Sequence, residues 1–366
     1  MSTTIDGPSA RPTAAPDASR RTDIVTMVLG SWLLVGLFVD GWAHSNLNEL
    51  ETFFTPWHAL FYSGFGATAG WIGWVVYRRQ SQGIRGAAAV PRGYDLAILG
   101  LVIFGLGGVG DMIWHTIFGI ETGLDALFSP THLLLFAGIL LILSTPLRRA
   151  WADSGTRWSS LRHFGPALAS LTLVVAATMF MLMFLSPLNT DVSPEWLGEV
   201  SAFEADLYPV VAAAALIVTS AVLVASVVVT GRRWVLPRGA IPVMWTSVAV
   251  LAGAMEEYDE PEAVIALVAG GILVDVLVGR LQDRSGPRPR VLSNRQTWLL
   301  GVTIPLILWI PYYAVAGLRD GIGLEVEFWT GNIMWAAMSS GLLALVIAPP
   351  RSGPVSAEQP GVAERT

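Results

Sequence analysis

The chain has 366 residues, of which 53% are hydrophobic and only 14% charged, and its formal net charge is −6. So little charge, together with recurring apolar runs of about 20 residues, excludes a soluble enzyme, a nucleic-acid-binding protein and a secreted domain. Cysteine and lysine are both absent, which excludes disulfides, thiolate metal sites, Schiff-base chemistry and a nucleotide-binding P-loop. The composition therefore predicts a polytopic membrane protein that binds neither nucleotide nor nucleic acid.

Ten apolar segments predict transmembrane helices. They lie at about 23–44, 55–77, 94–118, 130–147, 164–187, 206–230, 240–258, 261–279, 297–317 and 328–348. The expected fold is an all-α bundle of ten transmembrane helices in five hairpins, which together form one domain over residues 23–350. The polar tails at 1–22 and 351–366 are too poor in apolar residues to fold and are predicted to be disordered.

The arginines predict the orientation of the bundle. Of the 22 arginines, only Arg319 lies in a link that follows an odd-numbered segment. By the positive-inside rule, both termini and the arginine-rich links are cytoplasmic, and the opposite, acidic face is outside. We therefore expect a multi-pass protein of the plasma membrane, whose first partner is the lipid bilayer.

Four of the five histidines belong to an internal repeat at 38–65 and 109–139. Each copy has D-x-x-x-H at the outer end of one segment and F-[ST]-P-x-H at the start of the next. In both copies an acid lies four residues before the Ser or Thr, and a glycine lies six residues after the last His. The shared residues are Asp40, His44, Glu51, His58 and Gly64 in the first copy, and Asp111, His115, Asp125, His132 and Gly138 in the second.

The spacing of these residues has a structural meaning. Asp and His four residues apart lie on one face of a helix. Ser or Thr before Pro is typical of a helix start, which places the following His in the first turn. Each hairpin should thus bring one carboxylate and two imidazoles together, a common ligand set for a divalent transition metal.

The predicted ligands are Asp40, His44, His58, Asp111, His115 and His132. Glu51 and Asp125 are expected to orient the imidazoles by accepting hydrogen bonds from their N–H groups. A proton relay through the same Asp and His groups is the alternative that the residues leave open. The carboxylates at 256–262 allow either a hard-cation site or a solvated turn.

The two motifs also resemble a known family. Asp111 to His115 with Phe128 to His132 resembles the metal-binding signature of the C subunit of the particulate methane and ammonia monooxygenases, and the first copy resembles that subunit's second motif. The resemblance covers roughly residues 38–140, and Asp40 stands where the family has Asn. It implies intramembrane copper held by Asp111, His115 and His132 at one site, and by Asp40, His44 and His58 at another or sharing it. It further implies partner membrane subunits and, if oxygen is activated, a small apolar substrate.

The sequence leaves three functions open: a copper-dependent, monooxygenase-like enzyme, a proton- or metal-coupled transporter, and a non-catalytic metal-binding assembly protein. Zinc, iron and manganese are alternatives to copper, because imidazole and carboxylate also bind these ions. A homo-oligomer is an alternative to partner subunits. No catalytic residue is assigned.

Overall fold

The computed structural model describes residues 18–47, 53–119, 124–153, 160–199, 201–282 and 290–349, without the side chains of residues 125–126 and 202–206. These residues form an all-helical bundle, which confirms the predicted fold class. The α-helices are α1 Arg20–Asn46, α2 Pro56–Ser81, α3 Asp95–Phe118, α4 Leu124–Phe128, α5 Pro130–Leu143, α6 Thr145–Ala152, α7 Leu161–Met181, α8 Pro194–Glu199, α9 Ala202–Arg233, α10 Ala240–Met255, α11 Pro261–Leu281, α12 Asn294–Arg319 and α13 Val326–Ile347.

Seven of the described helices are long and apolar enough to cross a membrane. They belong to α1, α3, α7, α9, α11, α12 and α13, and α5 with α6 makes an eighth if this pair, bent by 45°, is one span. Helix α10 is apolar but has only 16 residues, and α2 is long enough but rich in Gly, Trp and Tyr, which lower its hydropathy. A multi-pass membrane protein is thus confirmed, whereas the predicted number of ten spans is not.

The predicted helix starts at α2 and α5 are present. The side chain of Thr55 accepts a hydrogen bond from the backbone N–H of His58, and Ser129 does the same for His132. A proline follows each cap at the first helical position, where its missing N–H costs nothing. Both histidines therefore lie in the first turn of their helices, as the motif predicts.

Glycines bring the two helices of each repeat hairpin into close contact. A Cβ atom on Gly64 of α2 would lie 2.7 Å from the Cα of Leu33 in α1. A Cβ atom on Gly138 of α5 would lie 2.7 Å from the Cβ of Phe104 in α3. Leu33 and Phe104 each precede the motif Asp by seven residues, so the repeat extends to the packing between the helices.

The third expected hairpin does not form as a packed pair. Helix α7 packs mainly on α10 and α1, and α9 packs mainly on α13 and α12. The chain between them is long enough to separate the two helices, since it contains two 3₁₀ turns, Met183–Leu185 and Pro187–Asn189, and helix α8. As a result α7 is the most buried of the seven spans and lies against the repeat hairpins.

The arginine-bearing helix ends gather at the end of the bundle away from the motif histidines. The Arg149 guanidinium donates to the buried carboxylate of Asp23, with Nε 2.7 Å from Oδ2, and the Tyr94 hydroxyl donates to Asp23 Oδ1 over 3.0 Å. Arg20 donates to the carbonyl of Arg162, and Arg233 to that of Asp153. These contacts hold the ends of α1, α3, α6, α7 and α9 together.

We expect Gly64→Ala and Gly138→Ala each to lower the free energy of unfolding by about 1–3 kcal/mol, because the added methyl group meets the facing helix. Unfolding in detergent, followed by circular dichroism, measures the change. Gly66→Ala is the matched control on α2, since no atom lies within 4 Å of its Cβ position. If Gly64→Ala and Gly66→Ala had equal stability, the close approach of α1 and α2 would be disproved.

Candidate metal centre

The first motif forms a compact group of three side chains. Asp40 and His44 lie in the last two turns of α1, and His58 lies in the first turn of α2. His58 Nε2 is 3.5 Å and His44 Nε2 is 4.0 Å from Asp40 Oδ2, and the two Nε2 atoms are 3.4 Å apart. The predicted hairpin geometry is therefore observed, with Asp40 and His58 buried.

The second motif forms the same arrangement from α3 and α5. His115 Nε2 lies 3.5 Å and His132 Nε2 lies 3.1 Å from Asp111 Oδ1. Asp111 is almost fully buried, at 1% exposure. In both groups the three nearest ligand atoms lie within 4.8 Å of one another, so that either group could hold a metal ion.

The two groups lie side by side. The ring of His44 is nearly parallel to that of His115, with centroids 6.5 Å apart, and the centroid of His115 is 6.3 Å from that of His58. The structure thus brings all six predicted ligands into one region, which we call the Asp/His cluster: Asp40, His44, His58, Asp111, His115 and His132.

Backbone carbonyl groups orient two of the imidazoles. His58 Nδ1 lies 2.8 Å from the carbonyl oxygen of Phe53, and His115 Nδ1 lies 3.1 Å from that of Gly119. The ring of Phe53 also stacks on that of His58, with centroids 4.9 Å apart. A carbonyl oxygen only accepts, so Nδ1 of each ring is the donor, and a neutral ring then presents the lone pair of Nε2 to the carboxylate.

The two acids expected to orient the imidazoles stay predictions. Glu51 lies outside the described residues, and Asp125 lies in α4 with its side chain among those not described. Sequence reasoning missed the backbone acceptors at Phe53 and Gly119. Every residue has a backbone carbonyl group, so residue type does not show which of them accepts a hydrogen bond.

Two hydroxyl groups hold the carboxylate of Asp111. Thr131 donates to Oδ1 over 3.0 Å, and Tyr62 donates to Oδ2 over 3.3 Å. Tyr62 lies on α2, one turn after His58, and so reaches from the first hairpin to the second. The equivalent position of the second copy is Phe136, which has no hydroxyl. The sequence analysis did not identify Tyr62, although a phenol four residues after His58 is a signal of a shared face.

Several buried polar atoms of the cluster lack a hydrogen bond. Asp40 Oδ1, His44 Nδ1 and His115 Nε2 have no hydrogen-bond partner among the described residues. Leaving such an atom unpaired costs about 1–3 kcal/mol, so that a cluster of them needs a reason. Of the three, His115 Nε2 faces the centre of its group, where an ion would bind it, whereas Asp40 and His44 face their own centre with Oδ2 and Nε2.

A cavity of about 650 Å³ adjoins the cluster. Five of the six ligands line it, and much of the remaining lining consists of apolar side chains from α1, α2, α5 and α7. An apolar groove of about 640 Å³ between α2 and α3 lies against His58 and Tyr62 as well. The cavity and the groove therefore both contact the Asp/His cluster at His58, and both contact the neighbouring Tyr62.

The acidic turn at 256–262 is not a third group of this kind. No further group of three or more His, Asp or Glu side chains close enough to share an ion occurs in the part of the chain that the structure describes. Instead the buried Glu262 accepts a hydrogen bond from Arg319 over 3.0 Å, which ties α11 to α12. Burial and the neighbouring Glu262 and Asp191 carboxylates raise the pKa of Glu260 to about 9. The turn thus contributes an ion pair between helices.

No known protein-family model matches the chain, no curated protein is significantly similar to it in sequence, and no solved structure is significantly similar to it in fold. The functional argument therefore rests on the residues of this chain.

We expect the imidazoles of His58 and His115 to be the Nδ1–H tautomer in the metal-free protein, because their Nδ1 atoms face carbonyl oxygens. Nitrogen-15 NMR of histidine-labelled protein distinguishes the tautomers, and His58→Gln and His115→Gln assign the signals. His163, in the first turn of α7, serves as the reference outside the cluster. An Nδ1 without a proton in either ring would contradict this geometry.

Proposed function

We propose that this chain is a plasma-membrane protein that binds two transition-metal ions, one at each half of the Asp/His cluster. The observation that carries the proposal is the pair of carboxylate and bis-imidazole groups, each built by a repeated hairpin and each containing buried atoms without a hydrogen bond. Structural packing alone would not explain why ionisable side chains occur at this depth twice, since each is costly in a membrane protein.

Copper is the metal that we propose. Two nitrogens and one carboxylate oxygen suit copper, zinc and iron better than calcium or magnesium, which prefer all-oxygen sites. Among the divalent ions of the first transition series, copper binds such donors most tightly. The motif resemblance to the copper-binding C subunit of the methane and ammonia monooxygenases supports the same choice.

A monooxygenase-like role is the function that best combines the metal with the cavity beside it. Bound copper would supply redox chemistry, including reaction with oxygen. The chain itself contributes a buried Asp111 carboxylate fixed by Thr131 and Tyr62, and apolar walls that exclude water. Partner membrane subunits or a second copy of the chain would complete such an assembly.

The two ends of the bundle support the orientation that we propose. Arginine side chains gather at one end, and the Asp/His cluster lies at the other. The positive-inside rule then places the arginine end and both termini in the cytoplasm and the metal centre near the outer face. The 45° bend between α5 and α6 lies just before Arg148 and Arg149, at the arginine end of the bundle.

Elemental analysis of the purified protein tests the metal sites. We expect two copper ions per chain after expression in copper-supplemented medium, and one fewer in His44→Gln/His58→Gln and in His115→Gln/His132→Gln. Electron spin resonance should show nitrogen coupling that weakens in each double variant. His163→Gln is the control, since this histidine lies outside the cluster.

Unchanged copper content in both folded double variants would overturn the assignment. If the protein contained zinc, iron or manganese instead of copper, and the double variants lost that metal, the two sites would stand and the choice of copper would be wrong. Metal-free wild type would favour the proton-coupled transporter, which Asp40→Asn and Asp111→Asn should then inactivate in proteoliposome flux.

The hydroxyl of Tyr62 should affect only one of the two sites. In Tyr62→Phe, Asp111 loses a donor that fixes its orientation, and the affinity of the second group for copper should fall by about 10- to 100-fold. Competitive chelator titration measures both affinities. Tyr77→Phe, which changes an exposed phenol on the same helix, should leave them unchanged. Equal affinity in Tyr62→Phe and wild type would show that the hydroxyl does not support the site.

A further inference from the structure

The cavity beside the Asp/His cluster is larger than metal chemistry requires. Its volume of about 650 Å³ falls in the range of about 300–1,000 Å³ typical of pockets for drug-sized molecules. A water molecule occupies about 30 Å³ in the liquid, so dioxygen or a one-carbon molecule would leave most of this space empty. The volume therefore favours a longer ligand than the small substrate expected from the sequence.

The walls away from the cluster are apolar. Leu37 of α1, Phe61 of α2, Ile139 of α5 and Phe180 of α7 contribute side chains from four different helices. Burial of an aliphatic chain against such walls is favourable by roughly 0.8 kcal/mol per methylene group. The walls thus suit a flexible hydrocarbon chain.

One further charge faces the cavity. Apart from the cluster, Glu256 is the only charged residue among the described residues that line it, and no arginine does. Glu256 follows the last residue of α10 and lies near the exposed Asn189, which places it at the surface side of the cavity. The Glu256 side chain has no ion-pair partner within the described ranges. A half-buried carboxylate without a countercharge is suited to a cationic group of a ligand.

We propose that this cavity binds an aliphatic amine, with its hydrocarbon chain against the wall of Phe180 and Ile139 and its ammonium group at the carboxylate of Glu256. Binding of the amine needs no metal, whereas its role as the substrate rests on the proposed function. An aliphatic amine is thus the class of ligand that we assign to the cavity beside the Asp/His cluster.

Equilibrium binding to the full chain in lipid nanodiscs tests the proposal, with empty nanodiscs as the blank. The probes are radiolabelled decylamine, decanol and decanoic acid, which share a chain and differ in the head group. We expect one saturable decylamine site per chain, with decanol about tenfold weaker because a neutral donor replaces a charged one, and decanoate weaker still. No saturable site, or decanoate as tight as decylamine, would overturn the proposal.

Two variants with matched controls locate the ligand. Glu256→Gln should reduce decylamine affinity to that of decanol, whereas Glu257→Gln, in the adjacent exposed position, should not. Leu37→Trp fills the cavity and should abolish binding of both probes, whereas Val35→Trp, on the exposed side of α1, should not. Unchanged decylamine binding in Glu256→Gln or in Leu37→Trp would refute the placement.

Different experimental results would contradict the metal proposal and the amine proposal. His115→Gln changes the one ligand of the cluster that does not line the cavity, so it should weaken copper binding at the second group and keep decylamine binding. If the wild-type chain bound decylamine but no copper, the assignment of the cavity would stand and the amine could not be its substrate in copper chemistry. Wild type that binds copper but not decylamine would remove the amine and leave the metal centre.

Discussion

The close approach of two helices at a glycine is the contact on which the geometry of the Asp/His cluster depends. In each repeat hairpin the backbone of one helix lies against a glycine of the other, at Gly64 and at Gly138. The motif Asp lies two turns beyond the facing residue, so the separation at the glycine sets the separation of the ligands. Helices moved apart to admit even a methyl group would carry the Asp40 carboxylate away from Nε2 of His58, which now lies 3.5 Å from it.

Much of this arrangement could be predicted from local sequence. The Ser/Thr-Pro caps place His58 and His132 in the first turn, and the four-residue spacing places Asp with His on one helix face. Both rules depend on residues within one turn of each other, and both are confirmed. The shared glycine six residues after the last His was recognised as part of the repeat, but its packing role required the facing helix to be known.

Two of the features that sequence reasoning missed involve contacts between separate segments. The hydrogen bond from Tyr62 to Asp111 depends on how one hairpin sits against the other, and nothing in the local pattern specifies this. For the same reason the sequence did not reveal that α7 packs on α10, α1 and α6 more than on α9, its expected hairpin partner. The backbone acceptors for His58 and His115 could not have been found from residue types at all.

The buried carboxylates at the two ends of the bundle have different surroundings. At the arginine end, Asp23 is paired with Arg149 and accepts from Tyr94, whose hydroxyl also contacts Thr26. At the other end, the Asp/His cluster keeps buried atoms without a partner. This separation has an evolutionary consequence. Because the anchoring contacts are remote from the ligands, replacement of the ligands by apolar residues would relieve unfavourable burial without loosening the anchor. Selection for stability alone would therefore replace the cluster by apolar side chains in either hairpin.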